Sequence, residues 1–185
     1  YLDCSIEKEA CPIGLVPTTS TTLTLAVGDA ISIALMEKKG FTEEDFLFNH
    51  PGGNIGKKLL KVKHLMHKGT EMPLLSKESP MKTVLAEINN KKFGVCIISG
   101  EGNRLEGIIT DGDIRRNIIE NPDFLSSSAA DIIKGFPQCI SPETLAAEAL
   151  KILEQKQITS LIVTDEENKI LGLLHLHDLW RTEMI

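Results

Sequence analysis

One stretch of this chain occurs twice, and that duplication limits the fold more than any other feature. Leu105-Glu106-Gly107-Ile108-Ile109-Thr110-Asp111-Gly112-Asp113-Ile114-Arg115-Arg116 returns as Ile170-Leu171-Gly172-Leu173-Leu174-His175-Leu176-His177-Asp178-Leu179-Trp180-Arg181. Gly107 falls on Gly172 and Asp113 on Asp178, an offset of 65. The same offset aligns Ser76 with Ser141, Leu85 with Leu150, Phe93 with Ile158 and Ile97-Ile98 with Ile162-Val163. A constant offset kept over roughly forty positions marks an internal repeat and not chance. Upstream the register slips by two, Leu65-Met66 matching Ile132-Ile133, so the first copy carries two extra residues near Gly69-Thr70.

Each copy has the same punctuation: a short helix, a short strand, an amphipathic helix, then a hairpin running into a last helix. Met81, Val84, Leu85 and Ile88 recur at i, i+3, i+4 and i+7, one face of a helix. Leu145, Ala149, Leu150, Ile152 and Leu153 do much the same in the second copy. Val95-Cys96-Ile97-Ile98 and Leu161-Ile162-Val163 read as buried strands. The turns Gly100-Glu101-Gly102-Asn103 and Asp165-Glu166-Glu167-Asn168 join them to a second apolar strand, as in a hairpin.

The motif has its own chemistry. The two oxygens of a carboxylate can accept both hydroxyls of a ribose, and a hydroxyl with backbone N–H groups at a helix N-terminus can receive a phosphate. Gly lets the backbone come close. Thr110 and Asp113 are therefore candidates for phosphate and ribose; the alternative is that they only cap the helix that follows. Over residues 62–183 the repeat resembles a pair of CBS domains, a Bateman module. Gly107, Thr110 and Asp113 are similar to its nucleotide-binding motif, with Asp178 the counterpart in the second copy. That copy departs from the pattern, since His175 stands in place of the hydroxyl.

The first 60 residues have a different character. Ile13-Gly14-Leu15-Val16 reads as a short strand. The hydroxyl-rich run Pro17-Thr18-Thr19-Ser20-Thr21-Thr22 precedes a helix with an apolar face of Leu23, Val27, Ala30, Ile31, Ala34 and Leu35. Lys38-Lys39-Gly40 is its stop, cations in the last turn and Gly beyond it. Thr42 is the expected N-cap of a short helix, and Asn49-His50-Pro51-Gly52-Gly53-Asn54 a loop rich in breakers. A strand, loop and helix of this kind form a piece of an α/β fold, with its partner strands expected upstream.

This segment resembles the end of a SIS (sugar isomerase) domain. Lys8-Glu9-Ala10-Cys11-Pro12, Pro17 to Thr22, Gly28-Asp29-Ala30 and His50-Pro51-Gly52-Gly53 are similar to the D-arabinose-5-phosphate isomerase family, in which a SIS domain precedes two CBS domains. The resemblance implies an α/β chain: a C-terminal SIS fragment over 1–60, one α+β CBS unit over 61–120 and a second over 126–183. It implies interconversion of ribulose 5-phosphate and arabinose 5-phosphate, feeding synthesis of Kdo, the acidic sugar of lipopolysaccharide or capsule. It places Glu9 and His50 at the active site, Glu9 as acid/base and His50 in ring opening or proton transfer; on their own they read as a solvated face and a turn residue. The family also uses a Lys, another Glu and a phosphate loop that this sequence does not hold, so the chain alone is expected to be inactive.

Composition narrows the partners. A net charge of −6 and an aromatic content of 4% argue against nucleic acid. No uninterrupted run of about 18 apolar residues suggests a membrane span. Cys4, Cys11, Cys96 and Cys139 show no C-x-x-C or zinc spacing and fit reduced thiols in a cytoplasmic protein. His64 with His67, and His175 with His177, lack a third ligand nearby, so no metal is expected. The expected partners are a small sugar phosphate, further copies of the chain (a dimer through the CBS pair, or a tetramer), and a nucleotide or nucleotide-sugar effector in the CBS cleft, with no cofactor required. The alternative is a stand-alone CBS pair that senses a nucleotide or dimerises.

Overall fold

The computed structural model describes residues 2–50, 53–133 and 135–182, the side chains of residues 54 and 55 excepted. Pro51 and Gly52 of the expected His-Pro-Gly-Gly loop, and residue 183 of the expected second CBS unit, lie outside them. The chain divides into two units, residues 1–50 and 51–185.

In the first unit, helix α1 spans Thr19–Lys39 and ends as its sequence demands, with Gly40 left-handed at φ 62°. Helix α2 spans Glu43–Asn49 behind a complete capping box. The Thr42 side chain accepts from the Asp45 N–H, and Asp45 accepts from the Thr42 N–H. The expected strand over 13–16 does not form. Gly14 turns at φ 65°, and the Leu15 and Val16 N–H groups both point to Cys11 Sγ at 3.1 Å. A strand needs a ladder partner for its backbone, and among the described residues none pairs here. None of the α1 side chains is buried within the unit. An 18-residue window of α1 has mean hydropathy 1.3, so by length and composition the helix is long enough to cross a membrane. The expectation of no span rested on unbroken apolar runs, whereas the average tolerates the hydroxyl and small residues interspersed here.

The second unit opens with α3 (Asn54–Leu59) and then shows the repeat in three dimensions. Strand β1 (Leu74–Ser76), helix α4 (Met81–Lys91), strands β2 (Val95–Ser99) and β3 (Leu105–Thr110) and helix α5 (Asp111–Glu120) form the first copy. Helix α6 (Ala129–Ile132), β4 (Cys139–Ile140), α7 (Ala146–Lys156), β5 (Ser160–Thr164), β6 (Ile170–His175) and α8 (Leu176–Trp180) form the second. Each sheet has three strands: the leading strand pairs parallel with the central one (β1 with β2, β4 with β5), and the hairpin pairs antiparallel (β2 with β3, β5 with β6). Even the irregularities keep register: bulges at Ile98/Ser99 and Val163/Thr164, and positive φ at Lys92 and Gln157 and at Asn103 and Asn168.

The segment leading into each copy crosses to the other. Lys61 bridges Leu145, and its counterpart Ser128 bridges Pro80. The Val62 N–H donates to Thr144 O at 2.9 Å; the Ala129 N–H donates to Ser79 O at 2.9 Å. Such exchanged pairs, with the self-matching bridge Arg104–Lys169, define a pseudo-twofold axis between the copies. Val62, Leu65 and Met66 accordingly pack on the second copy, among Ala149, Leu153, Leu161 and Leu174. Ala129 and Ile132 pack on the first, among Met81, Val84, Ile98 and Ile109. Between the sheets, Met72, Ile97, Leu105, Ile162 and Leu173 form a third cluster that joins them. Full burial of each such Val, Ile or Leu is worth about 1.5–3 kcal/mol.

Candidate functional site

Glu9 sits at the N-terminus of α1 and serves that terminus. Its carboxylate accepts the N–H groups of Thr18 and Thr19, each at 2.8 Å, and that of Ser20 at 3.3 Å, together with the hydroxyls of Thr18 and Ser20. These donors, the Ser20 hydroxyl first, bring the Glu9 pKa down to about 2. An internal anion therefore already engages the amides that the hydroxyl run would have offered to a phosphate. His50 closes α2; its ring stacks on Phe46 at a centroid distance of 4.4 Å, and Nδ1 lies 3.2 Å from Phe46 O. Glu9 and His50 thus belong to separate local clusters, with no hydrogen bond between them.

In the first copy, Thr110 and Asp113 form a capping box at the start of α5. The Asp113 N–H donates to Thr110 Oγ1 at 3.2 Å, while Asp113 Oδ2 accepts the Thr110 N–H at 3.0 Å and its hydroxyl at 2.6 Å. Arg116 donates to the other carboxylate oxygen at 2.6 Å. Burial pushes the Asp113 carboxyl up, but these hydrogen bonds and the Arg116 charge outweigh it and leave it below the usual range. Beside this cap lies a cleft of about 620 Å³, lined by Thr110, Gly112 and Arg115 from one copy and Pro137, Lys156 and Ile158 from the other. Each copy brings one cation, Arg115 or Lys156, to an opening that also has apolar wall from Val95, Ile108 and Ile158 and the carboxylate residue Asp111, a lining that suits an anion with a flat apolar part. Arg115 and Lys156 carried no signal in sequence, because the fold alone brings them to one opening.

The glycines of the motif serve packing. A Cβ on Gly107 would come within 2.5 Å of Ile133 Cγ2, and one on Gly172 within 2.7 Å of Met66 Sδ and 2.9 Å of His67 O. The crossed-over segment requires this close approach.

The second copy differs. His175 replaces the hydroxyl as N-cap, its Nδ1 accepting the His177 N–H at 3.3 Å, and Asp178 Oδ2 accepts the His175 N–H at 3.0 Å. The free oxygen of Asp178 meets His67 Nε2 at 3.0 Å, across 111 residues of sequence. His67 Nδ1 lies 3.1 Å from Glu71, and its ring packs on Phe93 at 4.7 Å. Sequence noted His67 only as a possible ligand; among the described residues no three His, Cys, Asp or Glu are grouped to hold a metal ion.

Two three-stranded sheets related by a pseudo-twofold axis, each hairpin running into a capped helix, are the architecture of a tandem CBS-domain pair. The CBS-domain family profile matches residues 62–120 and 129–179, and the chain belongs to that family. Its homologues extend further: the chain is 42% identical over 186 residues to the arabinose 5-phosphate isomerase KdsD of Escherichia coli (strain K12), and 41% identical to that of Yersinia pestis. Each alignment covers 100% of this chain and 56% of the relative, so the chain spans little more than half their length. Among solved structures, CBSX2 in complex with AMP superposes with a TM-score of 0.60 at 17% identity, over 67% of this chain and 96% of that one. That likeness is one of fold.

Proposed function

We propose that this chain is the C-terminal part of an arabinose-5-phosphate isomerase acting in Kdo synthesis in the cytoplasm, with the CBS pair as its regulatory and assembly module. The observation that carries this reading is 41–42% identity along the whole chain, the Glu9 and His50 segments included. In the reaction a base removes the proton at C2 of the open-chain aldose while the C1 carbonyl oxygen gains one. The protonated base then returns a proton to C1 of the resulting enediol, while the C2 hydroxyl gives up its proton and becomes the ketone. Groups for these steps need a pKa near the working pH and hydrogen-bond reach of the sugar. His50 has suitable chemistry for ring opening or for proton transfer. Glu9, held ionised near neutral pH, acts as a standing carboxylate that orients the hydroxyl-rich turn, so a role as general acid would require release from its donors.

The apolar face of α1 fits against the rest of a SIS domain better than against lipid. Asp29 lies within the helix, and an Asp at a membrane-helix centre costs about 2.5–3.5 kcal/mol. In the CBS pair, the first cleft suits a nucleotide or nucleotide sugar, with its phosphate toward Thr110 and Arg115 and its ribose toward Asp113 once Arg116 swings away. The chain assembles with further copies of itself. The test is an assay of the full-length parent with ribulose 5-phosphate. Formation of arabinose 5-phosphate supports the reading; its absence, with nucleotide-dependent melting of the CBS pair, leaves a stand-alone sensor.

A further inference from the structure

The two copies hold the same carboxylate in the same place and use it differently. Asp113 gives its outer oxygen to Arg116, an exposed side chain one turn along its own helix, whose side chain is 60% accessible. Asp178 gives the corresponding oxygen to His67, which comes from the crossed-over segment and is held firmly. The His67 N–H donates to Leu173 O at 2.8 Å, and the Leu173 N–H donates back to His67 O at 3.0 Å. The ring is gripped on both nitrogens, by Asp178 and by Glu71, and on its face by Phe93. Phe93 continues to His175 at 5.8 Å, so an aromatic wall stands beside the carboxylate. An aromatic face with a carboxylate that accepts from a ligand is what a nucleoside needs: one for the base, the other for the ribose hydroxyls.

We infer that His67 is a built-in occupant of the second half-site: its imidazole takes the position on Asp178 that a ribose would take, and shuts that half-site to nucleosides. The module then has a single ligand cleft, the one beside Thr110. Phe93 and the motif carboxylate keep the capacity to bind, and His67 withholds it. This rests on the nucleotide reading of the motif. It differs from that reading in concerning the change in bound ligand when His67 is removed, not the amount the native chain binds.

The experiment is equilibrium dialysis of the chain with labelled adenosine and, separately, AMP, for the native chain and His67→Ala. One additional adenosine or AMP per chain in His67→Ala is the expected result, whether the native chain binds none or one. Free imidazole, which refills the vacated place, is expected to displace that added ligand, and Asp178→Asn in the His67→Ala background to abolish it. An unchanged stoichiometry in His67→Ala, or an added ligand indifferent to imidazole and to Asp178→Asn, overturns the inference. His67→Ser is the second variant should the alanine chain fail to fold. In the native chain, zero ligand bears only on the first cleft, whereas two per chain refutes the occlusion.

Discussion

The carboxylate of Glu9 accepts the backbone N–H of Thr18 at 2.8 Å, and the hydroxyl of Ser20 two residues on closes the same clasp. A carboxyl with a pKa of about 2 stays ionised over the whole range in which an isomerase is assayed. Because its folded pKa lies below the unfolded value, whatever stability it contributes is present above about pH 4.3 and is lost as pH falls toward 2. In the full-length parent, Glu9→Gln is therefore expected to leave the position of the acidic limb of kcat/KM unchanged. His50→Asn is expected to lower kcat about 10²–10⁴-fold, the usual contribution of a positioned acid or base. Steady-state kinetics across pH checks both; movement of the acidic limb in Glu9→Gln would make Glu9 the titrating group.

Gly107 and Gly172 occupy matching places, and neither leaves room for a methyl group. At Gly172 the new Cβ meets the His67 carbonyl, which is backbone and fixed by its bridge to Leu173. At Gly107 it meets the Cγ2 methyl of Ile133 at 2.5 Å, a branch atom one bond from a stiff Cβ that is itself packed on the first core. Overpacking of this kind costs about 1–3 kcal/mol. We expect both Gly172→Ala and Gly107→Ala to destabilise within that range, measured by urea unfolding, and an unchanged midpoint in either would contradict the close approach.

His175 supplies a pH dependence of its own. Burial, then the neighbouring His177, hold its pKa below the usual histidine value, with Asp178 opposing. The fold therefore favours the neutral ring, whose Nδ1 accepts the His177 N–H. Protons bind more readily to the unfolded chain, so this stabilisation is present above about pH 6.5 and declines as pH falls below it. Urea midpoints between pH 7.5 and 5.5 should fall, and His175→Gln should flatten the slope.

Cys96 lies in β2 with no exposed surface, and burial pushes its thiol up to about 12. Burial raises Cys139 as well. Thiolate is the reactive form, so alkylation of the native chain at pH 7.5 should spare Cys96. Cys4 and Cys11, which are only partly covered, should be modified first. Peptide mass spectrometry after timed exposure to iodoacetamide reads this directly, and full labelling of Cys96 without unfolding would contradict it.

Much of this architecture was legible in the residues. The 65-residue offset carries strands, hairpins and helix stops, since each follows from local patterns: the spacing of Met81, Val84 and Ile88, the turn at Asn103, the stop at Gly40. The strand expected at Ile13–Val16 was not there, because an apolar run becomes a strand only where another strand offers hydrogen bonds. The motif pair Thr110 and Asp113 was visible with both its meanings, and the structure realises the cap.

The sequence by itself determined that the chain carries a duplicated α/β unit, because side-chain periodicity and turn chemistry act over a few neighbouring residues. Only the tertiary structure decided which copy each leading segment packs on, and so that His67 meets Asp178. That choice depends on the shapes of two cores brought together across more than a hundred residues, where no local preference reaches.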